Sequence, residues 1–250
     1  MCGRYSASLS TADLASVFGI SDDEIRTESL APSWNVAPTD PVHVVVERHA
    51  RDEAGEKTDD VRRQLRAMRW GLVPSWAQDL SIGARLINAR AESVAEKPAF
   101  RRAISARRCL LPADGYYEWM KLADGRKQPF FIRRRDDVPV TFAGLYEIWR
   151  DPAEPADAPL LWTCSVITTD ASPAVSEIHD RMPVLLSPES WERWLDPAYD
   201  DLAALRGLLV PAPADVLEAY PVSTAVSSVK NNGPQLREPV AAEVADETLF

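Results

Sequence analysis

The chain has no apolar run of ~18 residues, the length that marks a membrane-spanning helix, and no charged, then apolar, then small-residue leader ahead of its first motif. The expectation is a soluble cytoplasmic protein with no membrane partner. Cysteine is scarce: the three, Cys2, Cys109 and Cys164, are odd in number and lack metal-ligand spacing. That excludes a disulfide framework and a zinc site, so no metal is expected. Cys109 lies in the apolar run Cys109-Leu110-Leu111-Pro112, and Cys164 alternates with Leu160, Trp162 and Val166, so both read as core. Histidine is equally rare, at three residues, and each can be weighed alone. No internal repeat is present.

What is there suffices for a core: 250 residues, 46% apolar, with eight tryptophans. A net charge of −10 argues against a nucleic-acid partner, but its distribution argues the other way. Residues 61–135 hold 17 Lys or Arg against 6 Asp or Glu, a surplus of +11, which leaves −21 for the remainder. This basic island, with Arg85, Arg90, Lys97, Arg101, Arg102, Arg107 and Arg108, suits phosphate contact, although a solvated charged face has the same composition.

Local patterns place the elements. Ser10-Thr11-Ala12-Asp13 has the form of a capping box, Leu14, Val17 and Phe18 follow at helical spacing, and Gly19 can close the helix. Further helices are predicted over 98–107, over 188–195 capped by Ser187, and over 201–210. Trp191, Trp194 and Leu195 share one face of the second of these and read as core. Short β-like runs cover 42–47, 65–73, 108–111, 116–120, 129–133, 140–145 and 160–168, with exposed hairpin loops over 50–60 and 151–159. This density of strands predicts an α+β fold with a mostly antiparallel sheet system, one domain over 1–238 and an acidic, frayed tail over 239–250.

Cys2 stands directly behind the initiator methionine. Once Met1 is removed, an α-amine and a thiol share one carbon, titrating near pH ~8 and ~8.5, so both nucleophiles are present around neutrality. Such a pair attacks an aldehyde twice, through nitrogen to an imine and then through sulfur to a thiazolidine. The alternative is a cysteine that merely happens to be second. His43 in a strand and His49 in a charged loop offer little, whereas His179 in Glu177-Ile178-His179-Asp180-Arg181 has charged neighbours that suit proton transfer or a surface ion pair. Glu118 lies among the aromatics of Gly115-Tyr116-Tyr117-Glu118-Trp119, where desolvation would raise its pKa if the strand faces a pocket; a polar strand face is the alternative. Asn88, next to Arg90 two residues on, could orient the Cys2 amine or a carbonyl oxygen, or simply cap a turn. Trp70, Trp76 and Trp119 are candidates for stacking on bases, or for the core.

Taken together, Met1-Cys2-Gly3-Arg4-Tyr5, Trp34-Asn35-Val36-Ala37-Pro38, Trp70-Gly71-Leu72-Val73-Pro74-Ser75-Trp76, Ile87-Asn88-Ala89-Arg90-Ala91-Glu92, Gly115-Tyr116-Tyr117-Glu118-Trp119, Ile178-His179-Asp180-Arg181-Met182-Pro183 and Val229-Lys230-Asn231 occur in that order. The series resembles the SOS-response-associated peptidase family, sensors and shields of abasic sites in single-stranded DNA, from Cys2 to about Leu236. The resemblance implies a barrel-like β core with peripheral helices, Cys2 as covalent nucleophile, and Asn88, Glu118 and His179 as its active-site partners. It also implies DNA-backbone contacts by Arg4 and Arg90. A further basic contact expected after the Asn-Ala-Arg motif falls near Pro98, where only Lys97 could serve. No cofactor is needed. The expected partners are abasic single-stranded DNA and replication-fork proteins, with nucleoid association when bound. Two other readings stay open: a thiol or N-terminal-nucleophile peptidase that processes its own terminus with His179 as base, and a noncatalytic single-stranded DNA-binding module.

Overall fold

The computed structural model describes residues 2–241. Twelve strands occur among them: β1 (Tyr5–Ala7), β2 (Ser33–Val36), β3 (Pro41–Arg51), β4 (Lys57–Trp70), β5 (Asn88–Arg90), β6 (Arg108–Ala113), β7 (Gly115–Lys121), β8 (Lys127–Arg134), β9 (Val140–Trp149), β10 (Leu161–Asp170), β11 (Arg181–Pro183) and β12 (Leu217–Pro221). Four short helices join them: α1 (Thr11–Phe18), α2 (Arg101–Ala106), α3 (Pro188–Leu195) and α4 (Leu202–Gly207). The α+β expectation and its mostly antiparallel pairing hold, with one departure: β10 runs parallel to β4 and to β5.

The larger sheet closes on itself. The order β10-β4-β3-β6-β9 returns to β10 through the β9–β10 ladder, which makes a five-stranded barrel with β11 and β5 attached along β10. Alternation explains why it closes around a core: Val42, Val44 and Val46 point inward from β3, Cys109 and Leu111 from β6, and Cys164 and Val166 from β10, all fully or nearly buried. Cys109 and Cys164 are therefore core residues, as their neighbours in sequence suggest. The second sheet, β12-β8-β7-β1-β2, is open and entirely antiparallel. Its inner residues Tyr5, Val36, Tyr116 and Ile132 join the barrel's own core, so the open sheet covers one end of the barrel.

The α1 helix forms as its sequence dictates. Ser10 accepts from the Asp13 N–H, Asp13 reaches back to the Ser10 N–H, and Gly19 takes φ 62° with its N–H on the last carbonyls. The 188–195 helix also matches its prediction, with Trp194 buried, but α2 starts three residues later than expected and α4 ends sooner, at Gly207. The hairpin read over 50–60 is present, with a shorter loop than the range suggests. β3 and β4 extend past the barrel as a two-stranded ribbon with a turn only over 52–56, where Asp52 accepts from the Ala54 and Glu56 N–H groups. At the other end of the chain Pro239 bridges Val222 and the Val240 N–H bonds Pro221, so the tail is anchored through its first residues. The rest of the tail expected over 239–250 lies outside the described residues.

Arg108 corrects the basic island. It is 2% exposed, and its guanidinium donates to the carbonyls of Trp194, Ile104, Ser105, Asp196 and Tyr199, pinning α2 and α3 together. A buried guanidinium needs that many acceptors to offset its lost hydration. Arg107 pairs with Glu147, while Arg85, Arg90, Lys97, Arg101 and Arg102 are exposed.

Candidate active site

Cys2 is positioned by β1. Tyr5 pairs with Tyr116 of β7, and the Tyr117 N–H donates to the Arg4 carbonyl at 3.0 Å. Continuing that antiparallel register toward the chain terminus brings Glu118 alongside the residues next to Cys2. Cys2 is fully buried, and Glu118 is 3% exposed.

Asn88 arrives from the barrel. After β4 the backbone turns sharply at Gly71, whose φ of 128° disfavours any side chain and whose Cβ would stand 2.7 Å from the Gly83 carbonyl oxygen. The close approach of these two glycines folds segment 71–87 back so that β5 lies parallel to β10, with Asn88 opposite Val166. Its Nδ2–H then donates to the Cys2 carbonyl at 2.7 Å. Of the roles open to Asn88 in the sequence, the structure realises the bond to a carbonyl oxygen. Its Oδ1 is buried without a hydrogen-bond partner.

His179 lies between β10 and β11, at the end of a tight turn in which its own N–H bonds the Val175 carbonyl. The Arg181 N–H and a carboxylate oxygen of Asp180 both approach Nδ1, at 2.9 and 2.8 Å, and Nε2 lies 4.0 Å from Glu118 Oε2. The Arg181 side chain holds the turn. It grips both Glu92 oxygens, Asp170 and the Thr168 carbonyl, tying β11 to β10 and to the end of the Asn-Ala-Arg motif. Sequence reading used Arg181 only as a charged neighbour of His179; its partners Glu92 and Asp170 come from other segments of the chain.

The electrostatics follow from burial. Glu118 is pushed up to about 7, chiefly by desolvation, against the stabilising charge and hydrogen bond of the chain's terminal amine. His179 is pushed down, again chiefly by burial, so the imidazole is neutral near physiological pH. The Cys2 thiol is raised far above its usual range by burial and then by the Glu118 charge. With Met1 attached the buried sulfur is a thiol, whereas the coexistence of amine and thiolate is expected of the terminus that Met1 removal frees. The site holds a protonated sulfur, a carboxyl poised to give or take a proton, a neutral imidazole and an orphan amide oxygen. Such a set suits addition to and proton transfer at one electrophilic carbon.

The expected DNA contacts divide. Arg90 and Lys97 are exposed, and Trp76 is 54% exposed on the turn that follows Gly71. Trp70 is 0% exposed and its indole N–H bonds the Ile87 carbonyl, so it forms the floor next to Asn88 and cannot stack on a base. Arg4 is half-buried and donates to Asn35 Oδ1 at 2.6 Å and to the Val226 and Ser227 carbonyls. The Trp119 indole N–H bonds Ser227 Oγ at 3.0 Å. Asn35 completes this latch, with Nδ2 facing the carbonyls of Val226, Ser228 and Asn231. The Trp34-Asn35 motif and segment 226–231 thus meet because one amide organises a loop with few backbone bonds of its own. Among the described residues no cluster of three or more metal-ligating side chains occurs.

Comparison with known proteins agrees with this geometry. Residues 1–229 match the family described as SOS response associated peptidase (SRAP). The abasic site processing protein YoqW of Bacillus subtilis (strain 168) is 40% identical over 238 residues, 95% of this chain and 99% of its own length. The abasic site processing protein HMCES of Gallus gallus is 32% identical, over 99% of this chain and 80% of its own. A Bacteroides thetaiotaomicron protein of known crystal structure superposes with a TM-score of 0.78 at 26% identity, covering 96% of this chain and 100% of its own. With the match spanning the barrel, the covering sheet and every residue around Cys2, the chain belongs to the SOS response associated peptidase family.

Proposed function

We propose that this chain processes abasic sites in DNA by capturing their aldehyde covalently on Cys2, within single strands. The observation that carries the reading is the convergence of Cys2, Asn88, Glu118 and His179 where the covering sheet meets the barrel. Relatives named for abasic-site processing supply the substrate class. Removal of Met1 frees the Cys2 amine beside Glu118. The amine nitrogen adds to the ring-opened sugar C1′; Glu118 gives a proton to the departing hydroxyl and water leaves, forming the imine. The Cys2 sulfur then bonds the same carbon, its proton passing to the imine nitrogen, and the thiazolidine closes. One water is lost overall.

The raised thiol pKa supports this order, because nitrogen attacks first and the sulfur is needed only as a thiol that delivers its own proton. Proximity contributes the rest, since both nucleophiles are tethered at the reacting carbon. The neutral His179, with Nε2 4.0 Å from Glu118 Oε2, is suited to assist ring opening of the sugar. A thiol peptidase would instead need a thiolate, which burial disfavours. The test is incubation with an abasic single-stranded oligonucleotide followed by intact mass measurement: an adduct on residue 2 lighter by one water than the sum of its parts is expected. An unshifted protein mass, or an adduct of equal yield in Cys2→Ala, overturns the assignment.

A further inference from the structure

The barrel's other end carries a second charged feature. Four residues along β10 from Val166, which pairs with Asn88, or about 13 Å, Trp162 stacks on Tyr146 with ring centroids 5.7 Å apart and planes 16° from parallel. The Arg66 guanidinium lies 4.1 Å and that of Arg48 4.8 Å from the centre of the Trp162 ring. Arg48 and Arg66 stand on the inward-facing positions of β3 and β4, on the same face as Val44 and Val46, where the barrel core ends.

Two arginines drawn onto one indole repel each other, and neither has a carboxylate within ion-pair distance among the described residues. The nearby acids are engaged elsewhere: Glu24 by Arg26 and Gln64, Glu47 by Arg63, and Glu147 by Arg107. Arg66 bonds only the neutral Gln64 Oε1, and burial together with the Arg48 charge depresses its pKa to about 10. Stacking on aromatic faces stabilises such cations without neutralising them.

The surroundings extend the feature into a strip. A groove of about 490 Å³ holds Arg26, Arg48, Arg51, Arg62 and Arg66, with Asp23 and Glu24 on the Arg26 side. A second cleft of about 240 Å³ shares Arg48, His49 and Arg51 and adds Lys57, together with Glu47 and Arg107, which are held in ion pairs with Arg63 and Glu147. We infer that this far mouth of the barrel and the β3–β4 ribbon form a second, noncovalent site for the phosphate backbone of single-stranded nucleic acid. An open strip of cations meeting at Arg48 suits a string of phosphates better than one phosphate, which would favour a closed cradle. Arg48 and Arg66, pre-ordered on Trp162, present planar donors to successive phosphate oxygens. The site is remote from Cys2 and does not rest on its chemistry.

The experiment uses an undamaged oligo-dT of about 30 nucleotides, which contains no aldehyde, so its outcome is independent of the covalent reading. Binding is followed by fluorescence anisotropy across salt concentrations for the parent chain and for Arg48→Gln combined with Arg66→Gln. Removing one phosphate-neutralising cation lowers the log–log salt slope by about 0.7. The double variant is expected to lose about 1.4 in slope and roughly tenfold to thirtyfold in affinity at 0.1 M salt. A charge-matched control, Arg193→Gln with Arg206→Gln on the exposed faces of α3 and α4, is expected to leave the slope in place. Equal slopes for parent and double variant, or an equal loss in the control, overturn the site. If the double variant does not fold, Arg48→Gln alone replaces it and should lose half as much slope; no loss overturns the site equally. Inorganic phosphate and phosphatidylserine vesicles are run as separate arms. Saturable binding of either that depends on Arg48 and Arg66, with none of oligo-dT, assigns the mouth to another ligand and overturns the proposal.

Discussion

At one end of the barrel a thiol is shut in with Tyr5, Tyr116 and Trp70, beside a buried carboxyl and a partly exposed imidazole; at the other, two partly exposed guanidiniums lie over Trp162. The same apolar core runs between them, yet it treats the two sets of groups differently. At the closed end desolvation acts on groups that can discharge by holding a proton, so Glu118 rises to about 7 and the Cys2 sulfur stays a thiol. At the open end the groups keep their charge, so the fold leaves them at the rim and spreads their charge over a π face. Burial thus creates proton chemistry at one mouth and unneutralised charge at the other.

The sharpest break between the ends is Cys2→Ala. It should abolish the covalent product with an abasic oligonucleotide on a denaturing gel while leaving the salt-dependent binding of oligo-dT intact. Cys2→Ser separates the two nucleophiles: the amine remains, so an adduct should appear only when borohydride reduces the imine. A stable adduct from the serine variant without reduction would show that sulfur does not close the ring.

Next in size is Glu118→Gln, expected to slow single-turnover capture by about 10²–10⁴-fold and to remove the inflection near pH 7 from the rate profile. The same change should stabilise the fold at high pH. An unfolded glutamate ionises near ~4.3 and the native one near 7, so between these values the native state binds more protons and stability falls as pH rises. By pH 8 the penalty is almost fully present, on the order of 3–4 kcal/mol, and glutamine avoids it. Thermal melts should therefore show a higher Tm for the variant at pH 8 and little difference at pH 4. A lower Tm at pH 8 would contradict a desolvated carboxyl.

Asn88→Ala is a smaller perturbation. It removes the bond to the Cys2 carbonyl, a loss of about 1 kcal/mol, and with it the buried Oδ1. Capture should slow by roughly tenfold with no shift in its pH profile, since no proton-transfer group changes. A shifted profile would mean that Asn88 tunes Glu118 instead of holding Cys2.

Much of this was legible in the sequence, for identifiable reasons. The α1 boundaries were readable because capping box and C-terminal glycine are local chemistry, and the long strands because alternation repeats over many residues. β1, β2, β5, β11 and β12 run only three to five residues, too short for a period to show, and they exist because neighbours pair with them. Those short strands carry Asn88 and lead to Cys2 and His179, so the motif order named these candidates while only pairing could bring them together. Trp70 misled because an indole in a motif has the same composition whether it floors a site or lines a groove. Arg108 misled likewise: its five carbonyl partners come from segments up to 91 residues away, which composition does not register.

The smallest expected effect tests whether the two ends are independent. Glu118→Gln and Trp162→Leu lie at different ends of the barrel core, Glu118 beside His179 and Trp162 against Tyr146, Arg48 and Arg66. Trp162→Leu alone should destabilise by about 1–3 kcal/mol, through poorer packing on Tyr146 and loss of the seat for two guanidiniums. Residues this far apart with separate partners normally contribute additively, to within ~0.5 kcal/mol. The double variant, measured by chemical denaturation at pH 8, should therefore equal the sum of the singles within that margin. A coupling energy above ~1 kcal/mol would mean that the aromatic and valine packing between the ends moves as a unit. In that case an anion on the Arg48–Arg66 pair would alter the proton affinity of Glu118 through the core, and the contrast between the ends would become a linkage between them.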